Sequence, residues 1–429
     1  MYCKKPICLF ITSFFIFVYL SAYSQKLVSR PFTGHTTQHE INVWCLFKKA
    51  AVVYLKTDGQ PTQAFHYNKE HCFRKYLPVN ARFEGLKPHQ PYLIQYSFDN
   101  QRFFPLITAH TTADTIKDFT FLAGSCAFIG TGFNRVLKPF NSLKIFNHMK
   151  KDSSDLMVWL GDNLYYVLQR QNYKAQLKRN IKTRLNKKLN SFLASRSQYA
   201  IWDDHDYGTN NSDGTFKYKE SSLNVFQQFW PNPKNDSFNY YTFQQEDCQF
   251  FMLDDRYNNE PENSVLGNRQ LHWLENELLQ SNAIFKFICI GMQALNPLST
   301  KECFYKTTHE YKQLIAFIRE RHISGVLFIS GDRHHAELMK INETGLYPLY
   351  DFTTSPLTMY PVKIGKKSGE YVNPFKLPGT YFPFYNYGKI SVTGQSDKRK
   401  CKLELKNNKG NLIWSYEILA DELRQKRAE

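Results

Sequence analysis

Three apolar runs stop abruptly on acidic and histidine residues, and this pattern constrains the chain more than any other. Val158-Trp159-Leu160 runs into Gly161-Asp162-Asn163-Leu164-Tyr165-Tyr166. Tyr199-Ala200-Ile201-Trp202 runs into Asp203-Asp204-His205-Asp206-Tyr207-Gly208. Val326-Leu327-Phe328-Ile329-Ser330 runs into Gly331-Asp332-Arg333-His334-His335. A short continuous apolar run bounded by turn residues reads as a buried strand. In open α/β sheets, ligands gather at the carboxyl ends of such strands. Between Asp203 and Asp206, three carboxylates and an imidazole fall within four residues. Consecutive acids repel one another, and a bound cation relieves that repulsion best.

The surrounding chain alternates strands with helices. Phe119-Thr120-Phe121-Leu122-Ala123 ends at Gly124-Ser125-Cys126, and residues 137–151 place Leu137, Phe140, Leu143, Phe146 and Met149 at helical spacing. Gln249–Leu253 ends at Asp254-Asp255-Arg256-Tyr257. Leu266–Leu279 reads as an amphipathic helix, Ala283–Gly291 as a strand ending near Gln293, and Tyr311–Arg321 as a helix. This succession defines an α/β layer arrangement. Tyr387–Val392, Cys401–Leu405 and Leu412–Trp414, with a hairpin turn at Asn408-Lys409-Gly410, return to β. They are expected to complete a second sheet of one large domain over residues 115–419. Residues 420–429 are expected to form a frayed, charged tail.

Residues 27–112 read as β. Leu86-Lys87-Pro88 precedes Tyr92-x-x-x-Tyr96, which resembles the later strands of a fibronectin-type sandwich. A small N-terminal all-β sandwich is therefore expected over 25–114. Ahead of it, Lys4 and Lys5, the apolar run Ile7–Leu20 and the small residues before Ser24 read as a signal peptide over 1–24, cleaved after Ser24. The run is short for a membrane span, so membrane contact is expected only through this leader, and the mature chain is expected to be periplasmic or secreted. Seven cysteines remain after cleavage, and an odd number leaves at least one unpaired.

The chain carries 55 Lys and Arg against 38 Asp and Glu, a net charge of +17. Such a balance favours acidic partners such as phosphorylated substrates, anionic lipid or nucleic acid, or it serves solubility. Residues 167–198 concentrate Lys174, Lys178, Arg179, Lys182, Arg184, Lys187 and Lys188 in a helical insert, either a solvated face or an anion-steering cap. No stable nucleic-acid partner is expected, and the chain is expected to be a monomer.

Cys126, Asp162 with Tyr165, Asp204 with His205, the Gln293 region, and Asp332 with His334 all fall at strand ends. A mixed thiolate, carboxylate, phenolate and imidazole set suits a redox-capable or borderline ion paired with a harder one. Two ions about 3.5–4 Å apart clamp a phosphate ester and activate a water between them. Asp162 is the expected bridging carboxylate, and His205 the group that protonates the leaving oxygen. Taken singly, each residue has a plainer reading. Asp162 could be a turn former or helix cap, Cys126 a small core residue, His334 a core histidine and Tyr165 packing. Their recurrence at successive strand ends is what favours a site.

In these motifs the chain resembles the PhoD-like alkaline phosphatases of the calcineurin-like metallophosphoesterase superfamily. The resemblance rests on Gly124-Ser125-Cys126, Gly161-Asp162-Asn163-x-Tyr165, Trp202-Asp203-Asp204-His205-Asp206-Tyr207-Gly208, Leu253-Asp254-x-Arg256-Tyr257, Leu266-Gly267-x-x-Gln270-x-x-Trp273-Leu274, Ser330-Gly331-Asp332-Arg333-His334 and Thr353–Thr358, in order over residues 119–395. It implies a four-layer αββα catalytic domain and an Fe3+ site with Ca2+ beside it, other divalent metals also fitting. It implies Cys126, Asp162, Tyr165 and His334 on the iron side, and Asp162, Asp204 and Asp332 shared with or on the calcium side. His205 stands where the superfamily has its general acid, and Arg256 is expected to steady a substrate oxyanion. Two departures stand out: Asn210-Asn211 where the family often has Asn-Asp, and Gln293 where many metallophosphoesterases place a histidine.

The expected function is an exported, metal-dependent phosphatase or phosphodiesterase that hydrolyses phosphate esters with a metal-bridging water. Nucleotides, phospholipids and anionic polymers all fit as substrates. The alternatives are a non-catalytic exported protein that binds anionic polymers, and a phospholipase acting on membrane lipid. The first would be expected to have lost some of Asp162, Asp204, His205 and His334, all of which are present.

Overall fold

The computed structural model describes residues 25–113, 115–129, 143–166, 171–234, 237–260, 263–395 and 398–425. The expected signal peptide, residues 137–142 of the expected helix and residues 426–429 lie outside the described residues. No helix among those described is long and apolar enough to cross a membrane.

The N-terminal region forms two four-stranded antiparallel sheets. One contains β1 (Lys26–Leu27), β2 (Phe32–Thr36), β3 (Glu40–Lys48) and β6 (Tyr76–Glu84); the other contains β4 (Val52–Lys56), β5 (Gln63–His66), β7 (Pro91–Ser97) and β8 (Phe104–His110). Strand β3 is buried on both faces, which explains its nearly unbroken apolar sequence. Val43, Cys45 and Phe47 fill the sandwich with Val53, Val79 and Ile94. Trp44 and Leu46 point the other way, into a core shared with Trp159, Phe229 and Trp230. The Trp44 indole donates to Gln228 O at 3.0 Å and the Asn42 amide to Asn232 O at 3.0 Å. The sandwich is thus welded to the region that follows. Lys87 N donates to the Tyr92 hydroxyl at 2.7 Å, which fastens the Leu86-Lys87-Pro88 turn to β7.

Two six-stranded sheets follow. The first has the order β11 (Ser197–Ile201), β10 (Leu156–Leu160), β9 (Phe119–Gly124), β18 (Asn386–Thr393), β19 (Lys400–Asn407), β20 (Leu412–Leu419). The second runs β12 (Tyr241–Gln245), β13 (Cys248–Met252), β14 (Phe285–Ile290), β15 (Val326–Ser330), β17 (Leu349–Thr353), β16 (Glu337–Ile341). β9, β10 and β11 are parallel, as are β13, β14, β15 and β17. The sheets pack face to face through Phe121 against Phe250 and Phe287, with ring centroids 5.0 and 5.1 Å apart. Helices Ile145–Lys151, Tyr173–Arg184 and Lys187–Leu193 cover the outer face of the first sheet, and Gly267–Gln280 and Thr308–Glu320 that of the second. The result is the four-layer αββα arrangement.

Three expectations are corrected. The C-terminal strands extend the first sheet instead of completing a second one: β18 pairs antiparallel with β9, opposing Ile390 to Phe121. Alternation identifies such strands but not the edge they join. The tail is not frayed at its start. Ala420–Leu423 forms a 3-10 turn, Leu423 is fully buried, and its carbonyl accepts from Gly325 N at 2.9 Å. The basic insert does not present all its cations on one face. Arg179 and Arg184 are buried, and the Arg184 guanidinium lies 4.2 Å from the Trp230 ring and donates to Phe229 O at 3.0 Å. An aromatic face and a carbonyl replace its water. All seven described cysteines are free and buried.

Candidate metal centre

The carboxyl ends of the parallel strands of both sheets converge. From the first sheet, β9 delivers Cys126, β10 Asp162 and β11 Asp203 and Asp204; from the second, β15 delivers Asp332 and His334. Each strand ends in an abrupt turn. Cys126, Asp162, Asp332 and His334 all have φ between 54° and 61°, a left-handed conformation that non-glycine residues rarely adopt. Such strain persists where the surrounding structure imposes it, and it clusters at functional sites. Gly161, at φ 80°, lets β10 turn against β11: a Cβ there would lie 2.4 Å from Asp203 Cβ. The turns interlock, with Ala127 N donating to Asp162 O at 2.7 Å, Met359 N to Cys126 O at 3.0 Å and His334 N to Ser355 Oγ at 2.9 Å.

Three sets of possible ligands result, each with its donor atoms within 4.8 Å of one another: Cys126, Asp162 and His334; Asp162, Asp204 and His205; and Asp162, Asp203 and Asp332. Asp162 belongs to all three, the position a bridging carboxylate must occupy. The Tyr165 hydroxyl donates to Asp162 Oδ2 at 2.7 Å, and Cys126 Sγ lies 3.6 Å from the same oxygen. His205 N donates to Asp162 Oδ1 at 3.2 Å, and its ring lies 4.2 Å from that of Tyr165. Asp162, Asp204, His205, Asp332 and His334 line one open cleft of about 1030 Å³.

The Asp203–Asp206 stretch divides its labour. Asp203 caps the short helix Asp204–Tyr207, and Asp206 accepts from the Asp203 and Asn163 amides at 3.2 and 3.0 Å. These backbone bonds make Asp206 a structural acid, and burial lifts its carboxyl to about 8. Asp203 joins the ligand set although the sequence reading passed over it. It is the first acid after the β11 run, and that placement was the available signal.

Arg256 is buried and faces protein carboxylates: its Nε donates to Asp203 Oδ1 at 2.6 Å and Nη1 to Glu302 Oε2 at 3.0 Å. It stands behind the acidic cluster. Gln293 is also buried, and its amide donates to Glu337 at 2.8 Å and Thr353 at 3.0 Å, which ties it to protein side chains. Asn211 supplies a backbone N–H to Asp204 Oδ2 at 2.5 Å.

Burial pushes the Asp162 carboxyl well above the usual range, and the charges of Asp204, Asp206 and Asp332 push it further. Burial also raises the Cys126 thiol and the Tyr165 phenol, with Asp162 adding to both. Asp204 differs: burial raises it, but Arg256, His205 and the Asn211 amide outweigh burial and hold it low. Asp203 Oδ2 and Asp204 Oδ1 are buried without a hydrogen-bond partner. Buried, mutually repelling carboxylates with orphaned oxygens are the environment a multivalent cation reverses. The thiol, phenol, imidazole and carboxylate donors therefore fit a pair of metal ions.

The fold is that of the metallophosphoesterases, and the cluster offers donors suited to metal ions. The chain belongs to the PhoD-like phosphatase family, whose sequence pattern matches residues 121–401. It is similar in fold to a structure described as PhoD, with a TM-score of 0.75 at 15% identity over 94% of this chain and 92% of that one. It is also similar to the purple acid phosphatase PPD1 from yellow lupin (Lupinus luteus) seeds, with a TM-score of 0.65 at 10% identity over 92% and 74% of the two chains. No curated protein matches it in sequence.

Proposed function

We propose that this phosphoesterase is an exported hydrolase of phosphate monoesters or diesters whose cluster holds Fe3+ and Ca2+. The observation that carries the reading is the membership of Asp162 in all three ligand sets. Cys126, Tyr165 and His334 would share the iron with Asp162, and Asp203, Asp204 and Asp332 offer hard oxygens for calcium. When bound, the ions supply Lewis-acid charge and lower the pKa of a water that attacks phosphorus.

The remaining work belongs to the protein. Asp162 and Asp204 orient the cluster within a rigid frame of interlocked strand ends. Burial holds both His205 and His334 below the ordinary imidazole value. For His334 this favours the neutral form that ligates. His205 sits on the open cleft, where an incoming phosphate ester raises its proton affinity and lets it protonate the leaving oxygen. Arg256 acts behind the cluster by holding Asp203. The apolar leader of residues 7–20 supports export.

The test is hydrolysis of paired chromogenic monoester and diester substrates by the chain from Gln25 onward, with and without calcium, beside Asp162→Ala and His334→Ala. Both variants should lose turnover while remaining folded. Retained activity in both would remove the assignment.

A further inference from the structure

Half of the exposed large apolar side chains fall on two segments that contribute to the cleft wall, Tyr360 and Val362 lining it directly. Of twelve among the described residues, Leu298, Tyr360, Val362, Tyr371, Val372 and Phe384 fall on segments 298–306 and 359–384. Val372 is 69% exposed, Phe384 50% and Tyr360 49%. The segments join around the cleft: Val362 N donates to His334 O at 2.9 Å, Tyr360 packs edge-on against His334, and Thr300 Oγ1 donates to Glu370 Oε2 at 3.1 Å. A soluble surface seldom concentrates apolar side chains this way without a partner.

Charge identifies the partner. The same segments expose Lys301, Lys306, Lys363, Lys366 and Lys367. Their two acids are already engaged, Glu302 by Arg256 and Glu370 by Arg333. Lys363 lies 5.3 Å from the Phe384 ring, so cation and apolar group occupy one patch. Aromatic and aliphatic side chains interleaved with lysines that no carboxylate among the described residues neutralises match the boundary of an anionic bilayer, where apolar groups enter the acyl margin and lysines meet headgroups.

We infer that the rim formed by segments 298–306 and 359–384 docks on an anionic lipid surface and holds the cleft mouth against esters in the headgroup layer. The docking stands on the rim itself, and only the identity of the ester rests on the phosphoesterase reading.

The experiment is co-sedimentation of the chain from Gln25 onward with phosphatidylcholine vesicles and with vesicles containing phosphatidylglycerol, which needs no turnover. Binding is expected to the second kind and not the first. Each lysine at such a surface contributes about fivefold in affinity, so K366Q/K367Q should weaken binding roughly 25-fold. Val372→Ser/Phe384→Ser should weaken it as well. Turnover of a soluble chromogenic diester should stay unchanged in both variants. Absence of binding, equal binding to both vesicles, or binding unaffected by the variants would overturn the inference. So would a dimer in solution that Val372→Glu dissociates, which would assign the patch to a second copy. Loss of diester turnover in Asp162→Ala tests the catalytic reading separately.

Discussion

The Tyr165 hydroxyl donates to Asp162 Oδ2 at 2.7 Å from three residues further along the same turn. One oxygen of the shared carboxylate is therefore oriented by a buried phenol whose ring also packs on His205. Tyr165→Phe keeps the ring contact and removes only the oxygen. Losing a group that only orients a ligand typically costs about 10- to 100-fold in metal affinity or activity, and loss of an iron ligand should cost at least as much. A loss of that size in kcat/KM, with a matching fall in bound metal, is the expected outcome. Unchanged metal content and turnover would reduce Tyr165 to packing.

Gly161 and Asp203 meet where β10 and β11 end. A methyl group at Gly161 would fall 2.4 Å from Asp203 Cβ, and the φ of 80° is unfavourable for any side chain. Gly161→Ala should cost about 1–3 kcal/mol from the backbone conformation alone, measured by denaturant unfolding. It should also push Asp203 away from Asp162. Turnover is expected to fall further than stability does, because metal sites tolerate only small displacements of their ligands.

Much of the layer arrangement was legible because buried parallel strands read as apolar runs and their ends carry turn residues and ligands. Cys126, Asp162, Asp204, His205, Asp332 and His334 are visible in the sequence for that reason. Arg184 was not legible as a core residue, because the aromatic surfaces that receive it come from Phe32, Trp44 and Trp230, all distant in sequence. Asp203 was overlooked because two adjacent acids at a strand end look alike until the backbone shows which way each points. Arg256 reads in sequence as a cation free for substrate, and only the fold brings Asp203 to it from 53 residues away.

Arg256 compensates the acidic cluster from behind. Its guanidinium is buried with Asp203 and Asp255, and its removal leaves their charges without a partner. Breaking a buried pair of this kind costs about 3–5 kcal/mol. Arg256→Met should therefore lower unfolding stability by that order in chelator. Added metal should recover part of the loss, since the ions compensate the same carboxylates. A variant as stable as the parent in chelator would show that the carboxylates are protonated and uncharged without Arg256.

His35 offers a pH dependence remote from the metal cluster. Its Nδ1 is buried without a hydrogen-bond partner, its ring lies 6.0 Å from Tyr199, and its backbone ties β2 to Pro231. Burial, assisted by the Arg82 charge, lowers its pKa from 6.5 to about 4. The folded state thus binds the proton less tightly than the unfolded chain does. The stabilisation is fully present above pH 6.5 and is lost as the pH falls through about 4. Because the residue is only partly buried, the effect is of order 2 kcal/mol. His35→Phe removes the titrating group, so the difference in unfolding free energy between parent and variant should shift by that amount between pH 7 and pH 4. Parallel stability curves for the two proteins across this window would show that His35 is hydrated and titrates as it does in the unfolded chain.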